Sequence, residues 1–178
     1  MPIRRTTVVG LLAIALVGCA VPQPQPTVIA LGARYDSEAM KWAKTDGNAT
    51  IEGQAVLRTR GGEAKNCAGT KIYLIPYSLY GMQRLVHLYG NDEHGFMNVS
   101  AAMQRRLVFE PDIPAYKADA REQVCDSQGN FRFDKVPAGK WWLQTHVVWQ
   151  VGALNQGGSL LQAVEVRDGE AKRVVLAQ

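Results

Sequence analysis

Apolar and polar positions change rhythm three times along the chain. A basic start at Arg4 and Arg5 leads into an unbroken apolar run from Val8 to Val17, which ends near Cys19. The stretch Val21 to Thr27, rich in Pro and Gln, has no periodicity and favours extended conformation. From Thr50 onward, short alternating runs separated by turn signals argue for strands as the framework. The first strand, Thr50 to Leu57, places Ile51, Gly53, Ala55 and Leu57 on one face, and Gly61-Gly62 then turns the chain. Lys71 to Ile75 is a second strand, stopped by Pro76. A third, around Phe131 to Phe133, follows the turn Asp126 to Asn130, and Val136-Pro137-Ala138-Gly139 turns the chain again. The longest strand, Lys140 to Gln150, divides by its period of two into a core face (Trp141, Leu143, Thr145, Val147, Trp149) and an opposite face (Trp142, Gln144, His146, Val148, Gln150). A closing hairpin is expected from Leu160 to Val166, the turn Asp168-Gly169, and Arg173 to Leu176. Two sheets packed face to face are the simplest way to bury these faces.

Between the second and third strands the rhythm becomes helical. Ser78 can cap a helix whose apolar stripe is Leu79, Met82, Leu85, Val86 and Tyr89, ended by Gly90, although Gly81 weakens it. A second helical segment runs from Ser100 to Leu107, before Pro111, Ile113 and Pro114 break the pattern. Ahead of the first strand, Ser37 to Lys44 predicts one more short helix. The interval Tyr77 to Tyr116 holds six of the fourteen aromatic residues. Long ordered connections of this kind often carry function.

The apolar run at the start is too short to span a bilayer, which takes about 20 residues, and the prolines after it end it. Its form is that of an export signal. The segment Leu16-Val17-Gly18-Cys19 resembles the lipobox of bacterial lipoproteins. That resemblance implies cleavage after residue 18 and acylation of Cys19, and Ala20 after the cysteine resembles an outer-membrane address facing the periplasm. Two or more acyl chains hold a protein stably on a membrane. The chain then divides into a signal peptide (1–18), a lipidated Pro/Gln-rich spacer with a short helix (19–49), and the β domain (50–178). With Cys19 assigned, Cys67 and Cys125 remain in a compartment that export implies is oxidising, and one intramolecular disulfide is expected.

Three further stretches carry a second resemblance: Gly69-Thr70-Lys71-Ile72-Tyr73-Leu74-Ile75-Pro76, Gly129-Asn130-Phe131-Arg132-Phe133, and Val136-Pro137-Ala138-Gly139-Lys140-Trp141-Trp142-Leu143. Together they resemble the carboxypeptidase regulatory-like domain. The resemblance implies a mainly β fold, a transthyretin-like antiparallel sandwich of about seven strands, here with a partly helical insertion over 77–116. The family's name does not imply peptidase activity. It is widespread as an accessory domain, so the resemblance implies a structural or protein-interaction role with an envelope protein as partner.

Charge and candidate chemistry narrow the picture further. The formal charge of +4 falls to +2 without Arg4 and Arg5, so no nucleic-acid footprint is present. His87, His94 and His146 lack metal-ligand spacing, and neither a nucleophile elbow nor a marked carboxylate pair occurs. No enzyme activity, cofactor or metal is expected. One surface stands out: Trp142 and His146, with Tyr80 or Tyr89 from the insertion, offer an aromatic face for a sugar ring or other small ligand. The opposing expectation is that the insertion packs over that face, because an exposed tryptophan strip promotes aggregation.

Overall fold

The computed structural model describes residues 25–178. The signal peptide expected over 1–18 and the expected lipidation site Cys19 lie outside the described residues. The elements are β1 (Thr27–Ala30), β2 (Ala49–Arg58), β3 (Ala64–Asn66), β4 (Lys71–Pro76), α1 (Leu79–Tyr89), β5 (His94–Asn98), α2 (Val99–Arg105), β6 (Leu107–Glu110), α3 (Pro114–Ala118), β7 (Arg121–Val124), β8 (Asn130–Val136), β9 (Gly139–Val151), β10 (Leu154–Val166) and β11 (Ala171–Leu176).

The fold is a β-sandwich with a partly helical insertion. One sheet runs β5-β10-β9-β4-β7 and is antiparallel throughout. The other is built on β2, which pairs in parallel with β11 and antiparallel with β8 and β3. Both β8 and β3 lie along the same edge of β2. The amide of Ala55 donates to Gly129 beside β8 and its carbonyl accepts from Cys67 beside β3, and both groups of one strand residue point the same way.

Alternation along the strands places the core as the sequence expects. Ile51, Ala55 and Leu57 of β2 meet Phe131 and Phe133 of β8 and Trp141, Leu143 and Val147 of β9 between the sheets. Thr145 is buried among them because its hydroxyl donates to the Lys71 carbonyl at 2.9 Å. The Cys67–Cys125 disulfide spans the two sheets at their edge, with the Cα atoms 5.8 Å apart.

The expected closing hairpin does not form. β10 has β9 along one edge and β5 along the other, so the chain turns through Gly169 and crosses to the opposite sheet, where β2 still has a free edge for β11. The hairpin lies earlier: β9 and β10 pair over thirteen positions around a turn at Gly152.

The helix expected over Ser37 to Lys44 is shorter, a 3-10 turn at Lys41–Lys44. Arg121 holds it in place by donating to the carbonyls of Ala43 (2.9 Å), Thr45 (2.5 Å) and Lys135 (2.9 Å). The segment before it is more than a spacer. β1 pairs in parallel with β6 of the insertion, Leu31 is buried, and the Tyr35 ring sits edge-on to Tyr80 and Tyr116.

Candidate functional site

The insertion crosses the outer face of the five-stranded sheet and builds a second core there. α1 starts where the Ser78 hydroxyl accepts from the Gly81 amide, and it ends at Gly90 in the left-handed conformation. Its buried face differs from the expected stripe: Tyr80, Gly81 and Leu85 are inside, while Leu79 and Val86 face solvent. Gly81 sets this rotation. A Cβ there would come within 2.9 Å of the Trp142 ring and 3.0 Å of the Tyr116 ring, so the helix sits on Trp142 only because position 81 has no side chain. Tyr80 is buried with its hydroxyl donating to the Pro111 carbonyl at 2.7 Å and accepting from Arg84 at 2.9 Å.

The four residues expected to line one aromatic surface do not share one. Trp142 is fully buried, its indole N–H donates to the Asp92 carbonyl at 2.6 Å, and the Tyr77 ring lies 4.9 Å away. Tyr80 is equally buried, so neither ring can meet a ligand in this structure. Tyr89 is partly buried, and its hydroxyl is engaged by Ser159 and Gln144. His146 alone faces solvent, beside α2. The insertion therefore covers this face, because Trp142 stands opposite the small Ala163 on β10 and beneath Gly81 of α1.

Several clefts remain open, and two of them bear on ligand binding. The first, of about 550 Å³, lies between α1, α3 and the sheet and is lined by Tyr73, Ile75, Arg84, Leu85, Leu88, Tyr116, Lys117, Ala120, Glu122 and Gln144. The second, of about 780 Å³, is at the end of the sandwich, where Trp149 and Phe96 meet Arg58, Arg60, Asn98 and Gln156. Gly157 makes room for Trp149: its φ is +88°, and a Cβ would lie 2.7 Å from the indole. The N–H groups of Trp141 and Trp142 each donate to a carbonyl, whereas that of Trp149 has no protein partner among the described residues.

These residues were not singled out in the sequence. Trp149 falls on the core face by alternation, but it lies beyond the point where the sheets close on each other, so it is only partly buried. Arg84 left a signal, as the one formally charged side chain in α1. Among the described residues, no group of three or more His, Cys, Asp or Glu side chains is placed to hold a metal ion.

No family model matches the chain, and no curated protein matches it in sequence. Among solved structures, it is similar to a candidate carbohydrate-binding protein from Pseudomonas aeruginosa. The match has a TM-score of 0.64 and 20% identity, and covers 82% of this chain and 99% of that one. At that identity the likeness shows a shared fold. A minor pilin of Streptococcus agalactiae overlays with a TM-score of 0.37 at 15% identity, over 74% of this chain and 44% of the pilin. Chlorocatechol 1,2-dioxygenase from Pseudomonas putida overlays with 0.30 at 13%, over 90% of this chain and 70% of that one.

Burial of the insertion's tyrosines has a consequence in alkaline solution. Desolvation raises the Tyr116 hydroxyl well above its ordinary value, with the nearby Arg84 charge opposing, and burial acts the same way on Tyr35 and Tyr89. A pKa raised in the folded state gives stability that is complete below the unfolded value near 10 and is lost as pH rises through and beyond it. Urea midpoints are expected to hold to pH 9 and then fall, with Tyr116 accounting for about 1 kcal/mol by pH 10.5. A Tyr116→Phe variant should fall less steeply, and an identical slope would remove Tyr116 as a cause.

Proposed function

We propose that the chain is a non-enzymatic binding lipoprotein of the bacterial envelope, anchored through acylated Cys19 and facing the periplasm. In this reading its domain is carboxypeptidase regulatory-like, and it takes a saccharide in the cleft at the end of the sandwich. The observation that carries the reading is Trp149: a partly open indole backed by Gly157, its N–H without a protein partner among the described residues, beside Phe96 and ringed by Arg58, Arg60, Asn98 and Gln156. An aromatic face with polar groups around it suits a sugar ring, whose C–H face packs on the indole while its hydroxyls reach the rim. The fold shared with a candidate carbohydrate-binding protein supports the same class of ligand. The lipobox supports the anchor, and the disulfide fits an oxidising compartment.

The test uses the full-length lipoprotein, purified from membranes and placed in phosphatidylcholine nanodiscs. Maltotriose and cellotriose are titrated while tryptophan fluorescence is followed. Saturable quenching is expected for at least one of them, weakened at least about tenfold by Trp149→Ala and unaffected by Tyr89→Phe. No saturable response to either, or one that Trp149→Ala leaves intact, would overturn the saccharide reading. In cell fractionation, Cys19→Ser should release the protein from the membrane.

A second reading, a protein-interaction module with an envelope partner, is favoured by a different surface. Met103 on α2 is 68% exposed and Val148 on β9 is 46% exposed, flanking a shallow apolar groove that also contains His146. Crosslinking in intact envelopes that repeatedly captures one protein at α2 would move the assignment to that reading.

A further inference from the structure

We propose that the cleft between α1, α3 and the outer face of the five-stranded sheet is a second binding site, for a small molecule that joins one carboxylate to an apolar body. It shares no lining residue with the cleft at the end of the sandwich and does not depend on the saccharide reading.

Arg84 supplies the first reason. Its side chain is 13% exposed, and its guanidinium is fixed by three rings, with Cζ 4.4 Å from the Phe109 centroid, 5.3 Å from Tyr116 and 5.6 Å from Tyr80. Two hydrogen bonds use one nitrogen only: Nη1 donates to the Tyr80 hydroxyl and to Asp112 Oδ1, both at 2.9 Å. The Nε and Nη2 hydrogens have no protein partner among the described residues. Those two nitrogens form one edge of the planar group, the edge that takes two carboxylate oxygens in parallel. Because stacking already holds the group, little conformational freedom is lost when the edge is filled.

Tyr116 is the second, independent reason. Its ring is enclosed, with the residue only 8% exposed, while its hydroxyl opens on the cleft and has no hydrogen-bond partner among the described residues. A phenol whose ring is held by packing while its hydroxyl opens on a cavity presents that donor at a fixed place, ready for an acceptor.

The rest of the lining sets the ligand class. Ile75, Leu85, Leu88 and Ala120 give the cleft an apolar wall, and its volume lies within the range usual for small-molecule sites. Lys117 stands in the lining with its amine unpaired among the described residues, and the one lining carboxylate, Glu122, is occupied by Lys71 at 2.9 and 3.1 Å. Asp112 balances part of the Arg84 charge from the solvent side, where it is 58% exposed. One guanidinium edge and one hydroxyl match a monoanion with two coplanar oxygens, and the apolar wall matches its hydrocarbon part.

The experiment uses full-length lipoprotein in phosphatidylcholine nanodiscs and ligand-observed NMR, with 3-phenylpropionate as probe. The neutral 3-phenylpropanamide and inorganic phosphate are the comparison ligands. Saturable binding of the carboxylate is expected, with the amide at least about tenfold weaker and phosphate unable to displace it. Arg84→Lys keeps the charge but removes the fork, and should weaken binding at least about tenfold; Tyr116→Phe keeps the packing and should weaken it several-fold. Near-UV circular dichroism of both variants checks that the insertion stays docked. Lack of saturation at about 10 mM, equal affinity for the amide, displacement by phosphate, or full binding by both folded variants would each overturn the proposal. Trp149→Ala should leave this binding unchanged, which separates failure here from failure of the saccharide site.

Discussion

Trp142→Ala is expected to lower the free energy of unfolding by about 3–5 kcal/mol, the cost typical of truncating a large buried aromatic. The ring is fully buried, enclosed by Tyr77, α1 and the sheet, and its removal leaves a cavity that α1 cannot fill without shifting along its whole length. The Asp92 carbonyl also loses the indole donor that satisfies it. Urea unfolding followed by far-UV circular dichroism measures the loss, and limited proteolysis should show earlier cutting within 77–116. Trp142→Phe should recover part of the stability by keeping a ring under Gly81. A change below about 1 kcal/mol for the alanine variant would mean that the indole is a surface group. Trp149→Ala is the contrasting case: that ring is already partly open, so its effect on stability should be much smaller.

Removing the disulfide is expected to cost about 4 kcal/mol, since the bridge closes a loop of 58 residues in the unfolded chain. Cys67 follows β3 and Cys125 follows β7, so the bridge ties the sheet built on β2 to the five-stranded sheet and encloses the entire insertion. Both cysteines are buried, so the paired substitution Cys67→Ala and Cys125→Ala is the cleaner comparison than reduction, which leaves two thiols in the core. Urea midpoints with and without the bridge provide the measurement. Equal midpoints would mean that native packing alone holds the two sheets together. A domain of this size is typically stable by about 5–15 kcal/mol, so either change takes a large share of the total.

The framework was legible because strands bury one face and expose the other. Ile51, Ala55 and Leu57, and then Trp141, Leu143 and Val147, fall where a period of two puts them. α1 was legible from its ends, since Ser78 and Gly90 act through local geometry. Its buried face was not, because Tyr80 is inside only by virtue of acceptors and donors that come from residues 84, 111 and 113. The sheet to which β11 belongs was also hidden: alternation tells which way a side chain points and not which edge is vacant. The same limit applied to the candidate site. Local pattern marked Trp142 and Tyr80 as aromatic and outward from the inner core, and only the packing of a long insertion shows that both are enclosed. Trp149, Arg84 and Tyr116 become candidates through unfilled hydrogen-bond positions, which no local pattern records.

The parallel pairing of β11 with β2 bears on how the chain reaches its native state. Thr50 and Ala171 are register partners across most of the domain, so the first framework strand waits for the last. In a chain emerging N-terminus first, β2 can acquire β3 and β8 early, but its other edge stays unpaired until nearly everything else has arrived. Closure therefore rests on contacts of long sequence separation, the kind that form slowly, and the vacant edge of β2 is meanwhile open to pairing with another molecule. A chain with this topology has its most vulnerable interval when it is almost fully emerged, and chaperones that guard β edges would matter most then.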